Sequence, residues 1–304
     1  MTDLKKSISI GHTFSHRQAN HLNLDSRSCF NALIDLKPDY IRLCSYWSDI
    51  QPNKSVFELE PLTRFLTTCE EKNQSVVMTI GAKAPRWPEF YIPSWTGYDK
   101  ESFEDDILNY LEKLVQALQK YTCISHWQVE NEPLDPSGED NKTISLAVLI
   151  KEIEQVKALD TRPVVTTMWG NNFRQRQLFS KLSSISDCVG IDLYYKQFIT
   201  KVMGKSLYKG PNESDTELAR LLNKSQKSLW IAELQAEPWE ASETEYRADK
   251  PASMSPEILF QNFTRVKKLP VEAIFFWGFE YWFWQAQKGN NQYLDWYKKI
   301  ILDR

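Results

Sequence analysis

The chain has 304 residues, a formal net charge of −3 and 42% hydrophobic residues, enough to fill a sizeable core. Both signs of charge are interspersed without a basic stripe, so nucleic acid is not expected as a partner. Glycine is scarce at 10 residues and tryptophan abundant at 11, and no G-x-G, G-x-S-x-G or Walker A spacing occurs, which excludes glycine-rich phosphate cradles and the esterase elbow.

Short β-rich runs alternate with helical stretches along the whole chain. Met1 to Lys6 is polar and leads into a strand at 7–11 (SISIG), followed by a helix from Asp25 to Leu36 with Asp25 or Ser26 as its N-cap. A strand at 40–44 (YIRLC) precedes a helix from Pro61 to Lys72, and one at 75–81 (SVVMTIG) precedes the longest helix, Phe103 to Lys120. In that helix Ile107, Leu108, Leu111, Leu114, Val115 and Leu118 recur at i, i+3, i+4 spacing. Strands at 125–130 (SHWQVE), 163–168 (PVVTTM) and 188–195 (CVGIDLYY) precede helices Leu146 to Leu159, Arg174 to Ser184 and Thr216 to Ser225. The last two strands, 229–233 (LWIAE) and 273–278 (AIFFWG), precede helices Pro256 to Lys267 and Asn291 to Leu302.

Most of these strands are continuous apolar runs, as parallel strands buried on both faces require. Eight strand–helix units and no linker predict an α/β fold, a single (β/α)₈ barrel domain over 1–304. The doubly wound alternative would call for a glycine-rich first turn, which is missing. No apolar run approaches the ~18–20 residues of a membrane span, so no membrane partner is expected. The polar start predicts a cytoplasmic location, or secretion if a leader has been removed. Five cysteines, Cys29, Cys44, Cys69, Cys123 and Cys188, are an odd and widely spaced set that reads as buried free thiols.

In such a barrel the chemistry lies at the C-terminal ends of the strands. There the fourth strand ends in Glu130-Asn131-Glu132-Pro133 and the seventh in Glu233-Leu234-Gln235. The second strand carries Arg42 inside an apolar run, where a buried cation needs partners. Glu132 and Glu233 facing one another across the mouth would suit a general acid and a nucleophile. Trp87 and Trp169 follow strands, as do Trp95, Trp239, Trp282 and Trp284, and such rings stack on sugar faces. His12, His16 and His21 cluster after the first strand, but no H-x-H or H-E-x-x-H occurs, so no metal and no cofactor is expected. His12 is kept as a substrate contact, and His126 reads as a core residue.

The run Trp127-Gln128-Val129-Glu130-Asn131-Glu132-Pro133 resembles the strand-four signature of the retaining glycoside hydrolases with an acid/base on strand four and a nucleophile on strand seven. Leu229-Trp230-Ile231-Ala232-Glu233-Leu234 is similar to their strand-seven motif. The resemblance implies Glu132 as acid/base, Glu233 as nucleophile and Asn131 as the holder of a sugar 2-hydroxyl. The stretch from Arg42 through Tyr46-Trp47 to Phe57 is similar to the strand-two region, which implies Arg42 as a support of the nucleophile and brings Trp47 to the substrate. Tyr194 matches the tyrosine that hydrogen-bonds the nucleophile, and Trp277 the tryptophan that floors the subsite. Departures are Glu130, where an apolar residue is common, Ser55 in place of a glycine, and Gly81-Ala82-Lys83, where some families have a histidine. The implied substrate is a β-linked oligosaccharide or glycoside. A transglycosylase or a non-catalytic carbohydrate-binding barrel would use the same pocket.

Overall fold

The computed structural model describes residues 7–139, 141–170, 174–211 and 214–302, so Met1 to Lys6 lie outside the described residues. Its strands are β1 (Ser9–Thr13), β2 (Tyr40–Cys44), β3 (Ser75–Ile80), β4 (Ile124–Val129), β5 (Val164–Trp169), β6 (Cys188–Leu193), β7 (Gln197–Val202), β8 (Lys205–Lys209), β9 (Ser228–Gln235) and β10 (Ala273–Trp277). Eight of them close into a barrel in the order β1-β10-β9-β6-β5-β4-β3-β2. The pairing is parallel, with Ser9 opposite Ala273, Tyr40 opposite Ser75, Val76 opposite Ile124 and Trp127 opposite Val164. This is the expected (β/α)₈ barrel, and a doubly wound open sheet is excluded.

The chain divides into two compact units. The one formed by Leu33–Met168 and Arg176–Gly190 contains β2, β3, β4 and most of β5. Its helix Phe103–Leu118 buries Ile107, Leu111, Leu114, Val115 and Leu118 as the spacing predicts, while Leu108 is only half-buried. The helix Leu146–Leu159 begins where the Ser145 hydroxyl accepts the Val148 N–H at 3.2 Å, which satisfies one of the orphan donors of the first turn.

The unit formed by Met1–Ala32, Trp169–Gln175 and Ile191–Arg304 contains β1, β9 and β10. Asp25, in this unit, caps the helix Ser26–Asp35 by accepting the Ser28 N–H at 2.7 Å. Besides the short helices His16–His21 and Glu243–Tyr246, two features here were not expected from the sequence. One is the antiparallel hairpin β7–β8, turned at Met203 and Gly204 with φ of 49° and 75°. A tight hairpin turn with two positive φ values matches the right-handed twist of its strands. Ile199, Val202 and Leu207 are exposed on it, and Met203 is 99% exposed. The other is the helix Phe279–Gln287, which buries Phe279, Tyr281, Trp282 and Trp284.

All five cysteines are free thiols, four buried and Cys123 half-buried. Burial pushes the Cys29 and Cys69 thiols well up, and burial together with the neighbouring Glu70 carboxylate pushes Cys123 up to about 12. Among the described residues no helix is long and apolar enough to cross a membrane.

Candidate active site

The end of β4 is built by a turn that few side chains tolerate. Glu130 and Glu132 have φ of 59° and 44°, the left-handed region that strains any residue with a Cβ. Specific contacts offset that cost. The buried Glu130 carboxylate accepts the N–H groups of Ala82 at 2.7 Å and Lys83 at 2.5 Å, which lie just beyond β3. Gly81, at φ 128°, makes room for it, since a Cβ there would land on the Glu130 carboxyl group. The Glu130 carboxyl titrates near 7 because burial raises it more than the two amides and Lys83 lower it. Glu152, buried beside it on the helix Leu146–Leu159, is raised well above the usual range by burial and by Glu130.

Asn131 is buried, and its Oδ1 accepts from Arg42 Nη2 at 2.5 Å, Gln128 Nε2 at 3.3 Å and Thr167 Oγ1 at 3.3 Å. Three donors on one carbonyl oxygen orient the amide, so its NH₂ is the group left to donate elsewhere. Arg42, fully buried in β2, thus has Asn131 as one of its partners. Glu132 is half-buried; its N–H donates to Thr167 Oγ1 at 2.8 Å and its carbonyl accepts from Lys83 Nζ at 2.7 Å. Lys83 is buried as well.

At the end of β9, Ile231 and Leu234 are opposite Ile274 and Phe276 of β10, with two residues between them where the partner has one. This bulge falls at Ala232 and Glu233 and re-aims the strand locally. Glu233 is buried, and its Oε2 accepts the hydroxyl of Tyr194. The Tyr194 ring meets Trp239 edge-on at 5.1 Å, and Trp239 is 43% exposed. Nearby, Glu237 accepts the Tyr246 hydroxyl at 3.1 Å and occupies the space that a side chain at Gly278 would need.

The other expected contacts are distributed unevenly. Trp277 ends β10 and is buried, Trp169 ends β5 half-buried, and Trp87 is 68% exposed. Trp47 has no open face: its ring stacks on Tyr110 at 5.1 Å and its Nε1 donates to Gln51 at 3.0 Å. His12 is likewise enclosed, with Phe276, Phe279, Trp282 and Tyr297 at ring distances of 4.8–5.7 Å. Burial lowers its imidazole to about 3, so it is a neutral core residue. Neither Trp47 nor His12 fits the role of substrate contact that its position in the sequence suggests. His126 is half-buried, hydrogen-bonded to Ser125 at 2.9 Å and lowered to about 4 by burial. Among the described residues no group of three or more His, Cys, Asp or Glu is placed to hold a metal ion.

Sequence reasoning missed Lys83, Thr167 and the Glu130–Glu152 pair, whose partners are 20 or more residues away in the chain. Trp239 was one of several tryptophans after strands, and only its contact with Tyr194 and its exposure set it apart.

The barrel is similar to that of a glycosylated endo-beta-1,4-xylanase of glycoside hydrolase family 10 from Gloeophyllum trabeum, at TM-score 0.61 and 12% identity over 89% of this chain and 84% of that one. The fold is one that glycoside hydrolases use. GH5_18 from Streptomyces cattleya in complex with GlcNAc gives a TM-score of 0.62 and 14% identity over 90% of this chain and 70% of that one. A beta-glucosidase from Exiguobacterium marinum gives 0.58 and 13%, over 90% of each chain. No protein-family model matches the chain, and no curated protein sequence matches it.

Proposed function

We propose that the protein is a retaining glycoside hydrolase that cleaves β-glycosidic bonds, with Glu132 as acid/base and Glu233 as nucleophile. The observation that carries the reading is the buried Glu233 carboxylate on a bulge at the end of β9, held by the Tyr194 hydroxyl. A tyrosine hydroxyl on one oxygen fixes the direction in which the carboxylate can attack. The half-buried Glu132 suits the complementary task, because a general acid must meet a leaving group that departs toward solvent. The names of the similar barrels, a xylanase and a beta-glucosidase among them, agree with a carbohydrate substrate.

In the first step Glu132 gives its proton to the glycosidic oxygen while Glu233 attacks the anomeric carbon and the aglycone leaves. In the second, Glu132 takes a proton from water, whose oxygen displaces Glu233 and restores the original anomer. Asn131, with its carbonyl occupied, donates its NH₂ to the hydroxyl next to the reacting carbon. Trp277, Trp169, Trp87 and Trp239 are the aromatic faces proposed for the sugar.

The deciding experiment incubates the protein with aryl β-glycosides and β-linked oligosaccharides and follows the product anomer by NMR. The β-anomer should appear first. The α-anomer appearing first would mean inversion, with carboxyl groups about 6.5–9.5 Å apart instead of about 5–5.5 Å. Growth of longer oligosaccharides in place of free sugar would favour a transglycosylase. Saturable sugar binding without turnover would favour a non-catalytic barrel.

A further inference from the structure

We propose that Lys83 is a positioning residue for Glu132, a role that rests on the acid/base reading above. An ammonium group in a protein interior is costly to hold unless its protons are fully used. Lys83 is entirely buried, yet its nearest acceptors are two backbone carbonyls, Glu132 at 2.7 Å and Asp135 at 2.8 Å. A carboxylate, Glu89, is 3.7 Å away and also accepts the Ser137 hydroxyl. Charge neutralisation alone would bring the carboxylate closest. The geometry serves the carbonyls.

The Glu132 carbonyl is a consequential place for a fixed charge. Its residue has a positive φ and its N–H is tied to Thr167, so the unit that carries the acid is clamped at both ends. Lys83 is in turn fixed by the segment it holds, since its N–H donates to Glu130 and its carbonyl accepts the Asn131 N–H at 2.8 Å. Residues 82–83 and 130–132 thus form one interlocked turn, and releasing the ammonium frees Glu132 to relax from its strained conformation. A displacement of about 1 Å in a catalytic group can cost roughly 100-fold in rate.

A positioning role differs from a general loop staple in its dependence on the leaving group. Protonation by Glu132 matters most for a basic leaving group and little for dinitrophenolate. Lys83→Met and Lys83→Arg should be compared with the wild type on phenyl and dinitrophenyl β-glycosides of the accepted sugar. Lys83→Met should lose roughly 10–100-fold in kcat/KM, which reports the glycosylation step, on the phenyl glycoside and less than about 3-fold on the dinitrophenyl one, and Lys83→Arg should recover part of the loss. Equal losses on both substrates, or none, would overturn the proposal. If Lys83→Met does not fold, the same ratio is read from Lys83→Gln, which keeps one amide donor. A wild type that hydrolyses neither glycoside would instead overturn the glycosidase reading, and this role with it.

Discussion

At the end of β4 the backbone enters the left-handed region twice within three residues and presents Glu132 half-buried, its peptide held by Thr167 and Lys83. At the end of β9 the chain stays in a strand, takes one extra residue at a bulge, and buries Glu233 with a hydroxyl on its carboxylate. The first residue is held at both of its peptide groups, and the second at its carboxylate. A group proposed to trade a proton with an incoming and a departing oxygen is served by a fixed peptide, and one proposed as a nucleophile by a fixed carboxylate. Glu130 completes the contrast: it lies in the same turn as Glu132, yet its carboxylate is consumed by two amides and so builds the turn.

Four changes test that contrast. Glu233→Gln should reduce turnover of every aryl glycoside by about 10⁴-fold or more, measured as kcat, and residual activity near wild type would remove it as nucleophile. Glu132→Ala should cost roughly 10²–10⁴-fold in kcat/KM with a poor leaving group and much less with dinitrophenolate. If both variants lose equally on both substrates, the two carboxylates do not divide the work as proposed. Tyr194→Phe removes one hydrogen bond to a charged group, about 1.5–3 kcal/mol, so kcat should fall roughly 10–100-fold with the circular dichroism spectrum unchanged.

The smallest effect concerns the Glu130–Glu152 pair and reads on stability. Burial raises both above the ordinary 4.5, Glu130 to about 7, so the folded protein keeps protons that the unfolded chain has released. The stabilisation is full below the unfolded value and is lost as pH rises through 7 and beyond. Tm should therefore decline from about pH 5 to pH 8, and Glu152→Gln should flatten the decline. An identical slope in the variant would show that Glu152 holds no such proton.

Much of the barrel is legible in the chain because periodicity encodes it. Tyr40–Cys44 and Leu146–Leu159 have the predicted bounds, an apolar run and an amphipathic stripe that have one comfortable solution each. The hairpin β7–β8 escaped because its apolar residues are exposed, so no buried face marks it, although Met203-Gly204 is a usable turn signal. The helix Phe279–Gln287 escaped because it is aromatic on most sides and shows no 3.6-residue stripe. At the candidate site the motifs lead to the hydrogen bond of Tyr194 with Glu233, which the structure contains. The sequence reading misplaces His12 and Trp47, whose neighbours from Phe276 to Tyr297 and at Tyr110 close over them. It is silent on Lys83, because a lysine after a strand is ordinarily solvated, and only the fold brings two carbonyls to its ammonium.

The cysteines have a practical corollary. A thiol reacts as its thiolate; four of these groups are buried and the thiols of Cys29, Cys69 and Cys123 have raised proton affinity, so maleimides and iodoacetamide should find little to modify in the native protein. The chain can then carry a single spectroscopic label without first being stripped of its own cysteines. Met203→Cys, at the exposed hairpin tip, would place a fluorophore or spin probe there, and its signal on adding a sugar would report directly whether the hairpin responds to ligand.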